Sequence, residues 1–540
     1  MPGRVLHFPR NKMKKQLFSL ALLIAGLVVA DFVMADDVTL YKIQNRWQGT
    51  QALCDANGQV NYGAGNDDTY LWSIEDGGGF QRIKNKATGN YIALKTGSTD
   101  LETKASTDAT DVSTKWGVDV VANQWKSIQS LANKKYLNIE HQLGHATCDL
   151  GDAPADANWW SEQWNLIYVS GPPPPHTYAR NMVSVTSPPY CSDVTGNTTI
   201  AIAAPGLTSA EVKCWQQGAG FGSDSTVGTI TLDATGKGSI VFPADQYPHG
   251  PITVRITGTN GDASDTCNLQ LYNKGGASWN EGMPKDPPPA AQGMKLVFAD
   301  DFKGPLSISK TGAGTTYCSH KPGGGDFGNL HFSDFESANN PFLQVDTYLR
   351  IRADANKGYA GLISALRMDG TGITAAAPCY FECRFIAQSA PGTWPAFWVM
   401  TQNVYKGLQE PADEMDIIEG YGGIGPHNPN QKGYWTTSHN WNQPGKQPGV
   451  YQQNHMELIG GKSSWWETFH TYGCLISQTD TVYYCDNIEV ARHPTCKLSK
   501  TDPYFFFINL AVGGNGWLMD LSRYDGLADM YVDYVRVYQQ

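Results

Sequence analysis

Charge is scarce in this sequence: 17% of its 540 residues are Asp, Glu, Lys or Arg, the net charge is −11, and no long run of Lys or Arg occurs. That excludes nucleic acid, or an anionic membrane surface, as the main partner. Beyond residue 35 no stretch is apolar enough for long enough to span a bilayer. Zinc-type cysteine spacing is missing as well: Cys379 and Cys383 frame a strand-like Tyr-Phe-Glu stretch and lack a second ligand pair. No Asp-rich loop marks a calcium site, so neither metal nor cofactor is expected.

What is present is a chain too long for one hydrophobic core, rich in Gly (57), Tyr (26) and Trp (16). This composition reads as all-β and as several domains. At the N-terminus Lys14 and Lys15 precede the apolar run Leu17 to Val29, and Val33-Met34-Ala35 supplies a small-x-small cleavage site before Asp36. Residues 1–35 therefore read as a signal peptide, with Met13 the expected start and a secreted or periplasmic product. Export favours disulfides among the 11 cysteines: Cys54 with Cys148, and Cys267 with Cys191 or Cys214.

Two proline clusters, Pro172 to Pro175 and Pro284 to Pro289, read as stiff linkers at 171–176 and 276–293. Between Asp37 and Ser170 the chain repeats itself. Tyr41-Lys-Ile43-Gln-Asn45, Gln81-Arg-Ile83-Lys-Asn85 and Lys126-Ser-Ile128-Gln-Ser130 form one series; Trp72, Trp116 and Trp164 head a second, at intervals of roughly 40 to 48 residues. Such short alternating units cannot bury their apolar faces alone, so three must close around a shared core. The pattern resembles the ricin-type β-trefoil lectins, although the residues two before each Trp are Tyr70, Thr114 and Glu162 rather than that family's Gln. The resemblance implies a trefoil over 37–170 that tethers the protein to insoluble glycan, with Trp47, Trp159 and Trp160 as stacking residues; a purely structural trefoil is the alternative. Residues 177–275 alternate in short apolar runs such as Thr198 to Ile202 and Ile252 to Ile256, resembling an immunoglobulin-like sandwich that serves as a spacer.

Chemistry concentrates in Glu414-Met415-Asp416-Ile417-Ile418-Glu419. In a regular strand Glu414 and Asp416 share a face and Glu419 takes the other, because side chains alternate with period two. One extra residue, inserted as a β-bulge, returns Glu419 to the first face. Three carboxylates on one cleft wall suit glycosidic-bond cleavage, in which one group attacks the anomeric carbon and another protonates the leaving oxygen. The third keeps its neighbour protonated by like-charge repulsion.

The same motif, Glu-x-Asp-x-x-Glu, resembles glycoside hydrolase family 16 in its bulged, laminarinase-type branch. Val297 to Phe302, Tyr380 to Arg384, Trp394 to Trp398, Phe469 to Tyr472, Asn509 to Gly514 and Tyr531 to Val537 follow the family's strands in order. The resemblance covers 294–540 and implies a β-jelly roll, with Glu414 as nucleophile, Asp416 as its helper and Glu419 as acid/base in a retaining mechanism. It also brings His439 toward the cleft, with Trp394, Trp398 and Trp441 as sugar platforms; core packing is the alternative for one or two of these. The implied substrate is a β-1,3- or β-1,3/1,4-glucan. Galactan and bacterial exopolysaccharide stay open because Gly420 to Pro429 departs from common laminarinases, and loops set specificity. A non-catalytic glycan-binding protein and a transglycosylase are the competing classes.

Overall fold

The computed structural model describes residues 38–540, apart from 78, 107, 123–124, 152–158, 171–177, 179, 216–224, 278–281, 323, 407–408, 426–427, 431–432, 457–458, 460–463 and 515–518. The expected signal peptide and first linker lie outside the described residues. Among those described, regular structure is strand or short 3-10 turn, with no α-helix. The chain divides near residue 175 into two compact units.

The first unit bears out its internal repeat atom by atom. The indole N–H groups of Trp72, Trp116 and Trp164 donate to the carbonyls of Leu53, Ile92 and Leu137 at 3.0, 3.0 and 2.9 Å. Those three tryptophans and Ile43, Ile83 and Ile128 are fully buried in one cluster. At the end of each first-series strand a side-chain oxygen accepts the backbone N–H two residues on: Asn45 from Trp47, Asn85 from Ala87 and Ser130 from Ala132. The threefold recurrence is thus a repeated way of satisfying buried polar groups around one core. Trp47, Trp159 and Trp160 are outside that core and exposed, with the Arg46 guanidinium 4.7 Å from the Trp160 ring.

The second unit joins two layers of sequence that were expected to be separate. Residues 184–273 form a small sandwich of a three-stranded and a five-stranded sheet. It is no free-standing spacer: its core and that of the following domain form one buried cluster, from Val183 through Val537. Arg523 reaches across to Asp265 at 2.6 Å, both side chains nearly inaccessible, and also donates to the Val183 carbonyl at 2.7 Å. Arg255 pairs with Glu467, Thr253 donates to the Trp466 carbonyl, and Tyr272 packs with Tyr348, Phe469 and Tyr531. The second proline cluster is strapped down too, because Arg536 donates to the carbonyls of Pro284 and Asp286.

From residue 295 onward two mainly antiparallel sheets join into a closed, jelly-roll barrel. One holds the site. Its strands are β1 (Tyr359–Ser364), β2 (Thr393–Thr401), β3 (Ala412–Glu419), β4 (Tyr434–Trp441), β5 (Tyr451–Asn454) and β6 (Tyr504–Val512). They pair in the order β1-β6-β2-β3-β4-β5. The other sheet is built on Cys379–Ala387, His470–Ile476 and Leu527–Gln539. β6 is buried along its whole length, which its unbroken Tyr-Phe-Phe-Phe-Ile run requires.

The expected disulfides are absent, since all eleven cysteines are unbridged. The Cys148 thiol donates to the Lys135 carbonyl at 3.2 Å and Cys267 pairs with the Tyr190 hydroxyl at 2.6 Å, so each is satisfied by a partner other than the expected cysteine.

Because the Arg523–Asp265 pair is buried, removing one partner strands the other charge. Arg523→Met should destabilise the second unit by about 3–5 kcal/mol in urea unfolding of the full chain; a loss under about 1 kcal/mol would mean that water reaches Asp265.

Candidate active site

β3 carries the predicted bulge. Against β2, Ile418 pairs with Phe397 but Asp416 pairs with Trp398, leaving Ile417 as the extra residue. The register against β4 shifts in the same place, between Asp416–Thr437 and Glu419–Trp435. Met415, Ile417 and Ile418 are buried behind the strand, so their apolar contacts hold the bulge in register. Asp413, one residue before the motif, is structural: fully buried, it accepts from Asn440 and from the Ser499 amide and hydroxyl.

On the cleft side Glu414 lies opposite His439. His439 Nε2 is 3.3 Å from Asp416 Oδ2 and 4.0 Å from Glu414 Oε1. Trp441, exposed and stacked on His439, donates its indole N–H to Glu414 Oε2 at 3.1 Å. Glu419 is held by three donors: Tyr421 Oη at 2.6 Å, Trp394 Nε1 at 3.1 Å and Thr437 Oγ1 at 3.3 Å. The structure therefore brings Glu414, Asp416, Glu419, His439, Trp394 and Trp441 together. Trp398 stands apart from the expected sugar platforms. It is 7% exposed, its ring face is stacked on Phe507 at 4.0 Å, and its N–H is spent on Asn509 Oδ1, so it forms floor rather than platform.

Burial pushes all three carboxyls above their ordinary range, and like-charge repulsion adds to it at Glu414 and Asp416. His439 acts in the opposite sense on both glutamates, as do the three donors on Glu419. Three carboxyls so close together and so well buried resist ionising all at once. One carboxylate and one carboxylic acid in a shared desolvated wall are what nucleophilic attack combined with proton donation needs. Glu414, Asp416 and His439 also place ligand atoms within 4.8 Å of one another, as do His470, Cys485 and Asp486 on the other sheet. In the second group His470 Nδ1 and Asp486 Oδ2 are hydrogen-bonded directly at 2.7 Å.

Sequence reasoning missed Tyr421 and Thr437. Tyr421 sits between two glycines whose backbone is pressed against neighbours: a Cβ on Gly422 would lie 1.8 Å from the Ala390 carbonyl oxygen, and one on Gly420 3.0 Å from the Trp465 ring. That tight Gly-Tyr-Gly passage directs the phenol back to Glu419, and the Gly-rich spacing was its one signal in the sequence.

Residues 374–534 match the family model described as Glycosyl hydrolases family 16. Over 162 residues the chain is 33% identical to the endo-1,3-1,4-beta-glycanase EglC of Rhizobium meliloti (strain 1021), which covers 29% of this chain and 30% of that protein. It is 24% identical over 287 residues to the glucan endo-1,3-beta-glucosidase A1 of Niallia circulans, covering 48% of this chain and 39% of that protein. The chain thus spans well under half the length of these relatives. Among solved structures, the catalytic domain of an endo-1,3-beta-glucanase (laminarinase) from Thermotoga petrophila RKU-1 aligns with 45% of this chain and 97% of its own, at 20% identity and a TM-score of 0.34. Residues 374–534, with all three carboxylates inside them, are thus similar to the glycosyl hydrolases of family 16.

Proposed function

We propose that the protein is an exported, retaining endo-glycosidase that hydrolyses a β-1,3- or β-1,3/1,4-glucan. The observation that carries this reading is the bulge at Ile417, which turns Glu419 to the same wall as Glu414 and Asp416. The similarity to an endo-1,3-1,4-beta-glycanase of Rhizobium and a glucan endo-1,3-beta-glucosidase of Niallia supports the substrate class.

In the first step the Glu414 carboxylate attacks the anomeric carbon, and Glu419 delivers its proton to the departing glycosidic oxygen. A covalent glycosyl ester on Glu414 results. Glu419, now ionised and held by Tyr421, Trp394 and Thr437, then takes a proton from water as the water attacks the same carbon and releases Glu414. Asp416 keeps the pair from losing both protons, and His439 bridges Asp416 and Glu414 as charge moves between them. Trp394 and Trp441 border this wall and supply sugar-stacking faces. The N-terminal unit acts as a β-trefoil tether, with exposed Trp47 and Trp159 as its glycan contacts. The middle sandwich is immunoglobulin-like, and the apolar leader directs export.

Glu414→Gln and Glu419→Gln should each abolish reducing-sugar release from laminarin and lichenan by at least roughly a thousandfold, and wild type should release the β anomer first by NMR. An initial α anomer would overturn retention, and release from agar alone would reassign the substrate to a galactan.

The pH dependence has a definite sign. The acid must be protonated, so kcat/KM should fall as pH rises, along a basic limb lying above the ordinary carboxylate range. These carboxyls have folded-state pKa values above the unfolded ones, so folding is favoured below the unfolded value and loses stability as pH rises toward the folded one. Asp416→Asn should therefore raise Tm at neutral pH and leave it nearly unchanged near pH 4.

For the tether, the inactive Glu414→Gln chain should co-sediment with insoluble β-glucan, and adding Trp47→Ala and Trp159→Ala should weaken this at least about fivefold. Equal sedimentation would assign the exposed tryptophans no part in it.

A further inference from the structure

A cation in the cleft wall is left over by this chemistry. Lys321 follows the short strand Tyr317–Cys318, which pairs with Ser364 of β1 and with Ile308–Ser309, so its backbone is held by the site-bearing sheet. Its ammonium lies 5.1 Å from the centre of the Phe327 ring. That ring packs in turn on Trp394 at 5.2 Å and Trp398 at 6.1 Å, the two tryptophans of β2 beside the carboxylates. Lys321 is close enough to Glu414 and Asp326 to feel both charges, yet among the described residues its ammonium forms no salt bridge or hydrogen bond. Its neighbour His320 is different, being paired with Asp334 at 2.5 Å.

A partly desolvated ammonium whose near contact is a ring face rather than a carboxylate is unfavourable, and burial accordingly pulls its pKa down. Lysines that only decorate a surface keep their heads in water. Glu414 offers Lys321 no lasting counter-charge, because its carboxylate is consumed when the glycosyl ester forms. A neutral glucan brings hydroxyls alone, whereas an acidic substituent brings a charge-assisted contact about twice as strong as a neutral hydrogen bond. The chain's net charge of −11 otherwise repels acidic polymers, which makes a fixed cation in the cleft a means of admitting one.

We propose that Lys321 reads a carboxylate carried by the polysaccharide, so that the preferred substrate is an acidic β-glucan rather than an unsubstituted one. This rests on the β-glucan hydrolase reading above. The test compares lichenan with the same lichenan sparsely oxidised to carboxylate at C6, using the full chain, Lys321→Met and Lys321→Arg. The ratio of kcat/KM on oxidised to parent glucan should exceed one in wild type, fall by roughly tenfold or more in Lys321→Met, and be largely restored in Lys321→Arg. Raising salt should shrink the wild-type ratio. Hydrolysis of both glucans with the same ratio in wild type and Lys321→Met overturns the charge reading alone. Release from neither glucan overturns the β-glucan reading and this inference together.

Discussion

The candidate site depends on a single extra residue. Without Ile417 looped out of register, β3 would alternate regularly and Glu419 would point into the apolar layer between the sheets. With it, both sides of the strand are satisfied: Met415, Ile417 and Ile418 fill the interior while Glu414, Asp416 and Glu419 line the wall. The two partner strands accept the same irregularity. Trp398 and Thr437 face Asp416 from either side, and the donors Trp394 and Thr437 converge on Glu419 just beyond the bulge.

That arrangement is costly, and the surroundings show how the cost is borne. Three carboxyls in a desolvated wall repel one another and resist ionisation. The chain offsets this with neutral donors at Glu419, an imidazole at Asp416 and an indole at Glu414 rather than with an arginine, which would fix all three as carboxylates. Arginines are used elsewhere: Arg352 on Asp529, Arg384 on Asp533 and Arg523 on Asp265 lock buried aspartates away from the cleft. The contrast separates charges meant to stay fixed from those meant to exchange protons.

The middle sandwich belongs to the same economy of support. Its strands press on Gln388, Ser389, Trp466 and Glu467, and Asn268 donates to the Ser389 carbonyl. The turn they stabilise continues into Ala390 and Thr393, against which Gly422 is packed without room for a Cβ. Tyr421, the donor to Glu419, therefore sits on a loop braced by a module that a reading of proline clusters alone treats as detached.

The all-β class, the threefold repeat of the first unit, the Glu-x-Asp-x-x-Glu motif and the need for a bulge within it were legible in the order of the residues. Each of these is a local pattern: a period, a spacing, a parity of side chains along one strand. Long-range packing makes Trp398 floor while Trp394 and Trp441 hold carboxylates, because all three are tryptophans on strands and differ only in what packs against them. The same holds for Tyr421 and Lys321, which reach the site from separate loops, and for the cysteines, whose partners are set by neighbours distant in the chain. It holds also for the docking of residues 177–275, since Asp265 and Arg523 are 258 positions apart and no pattern near either one names the other.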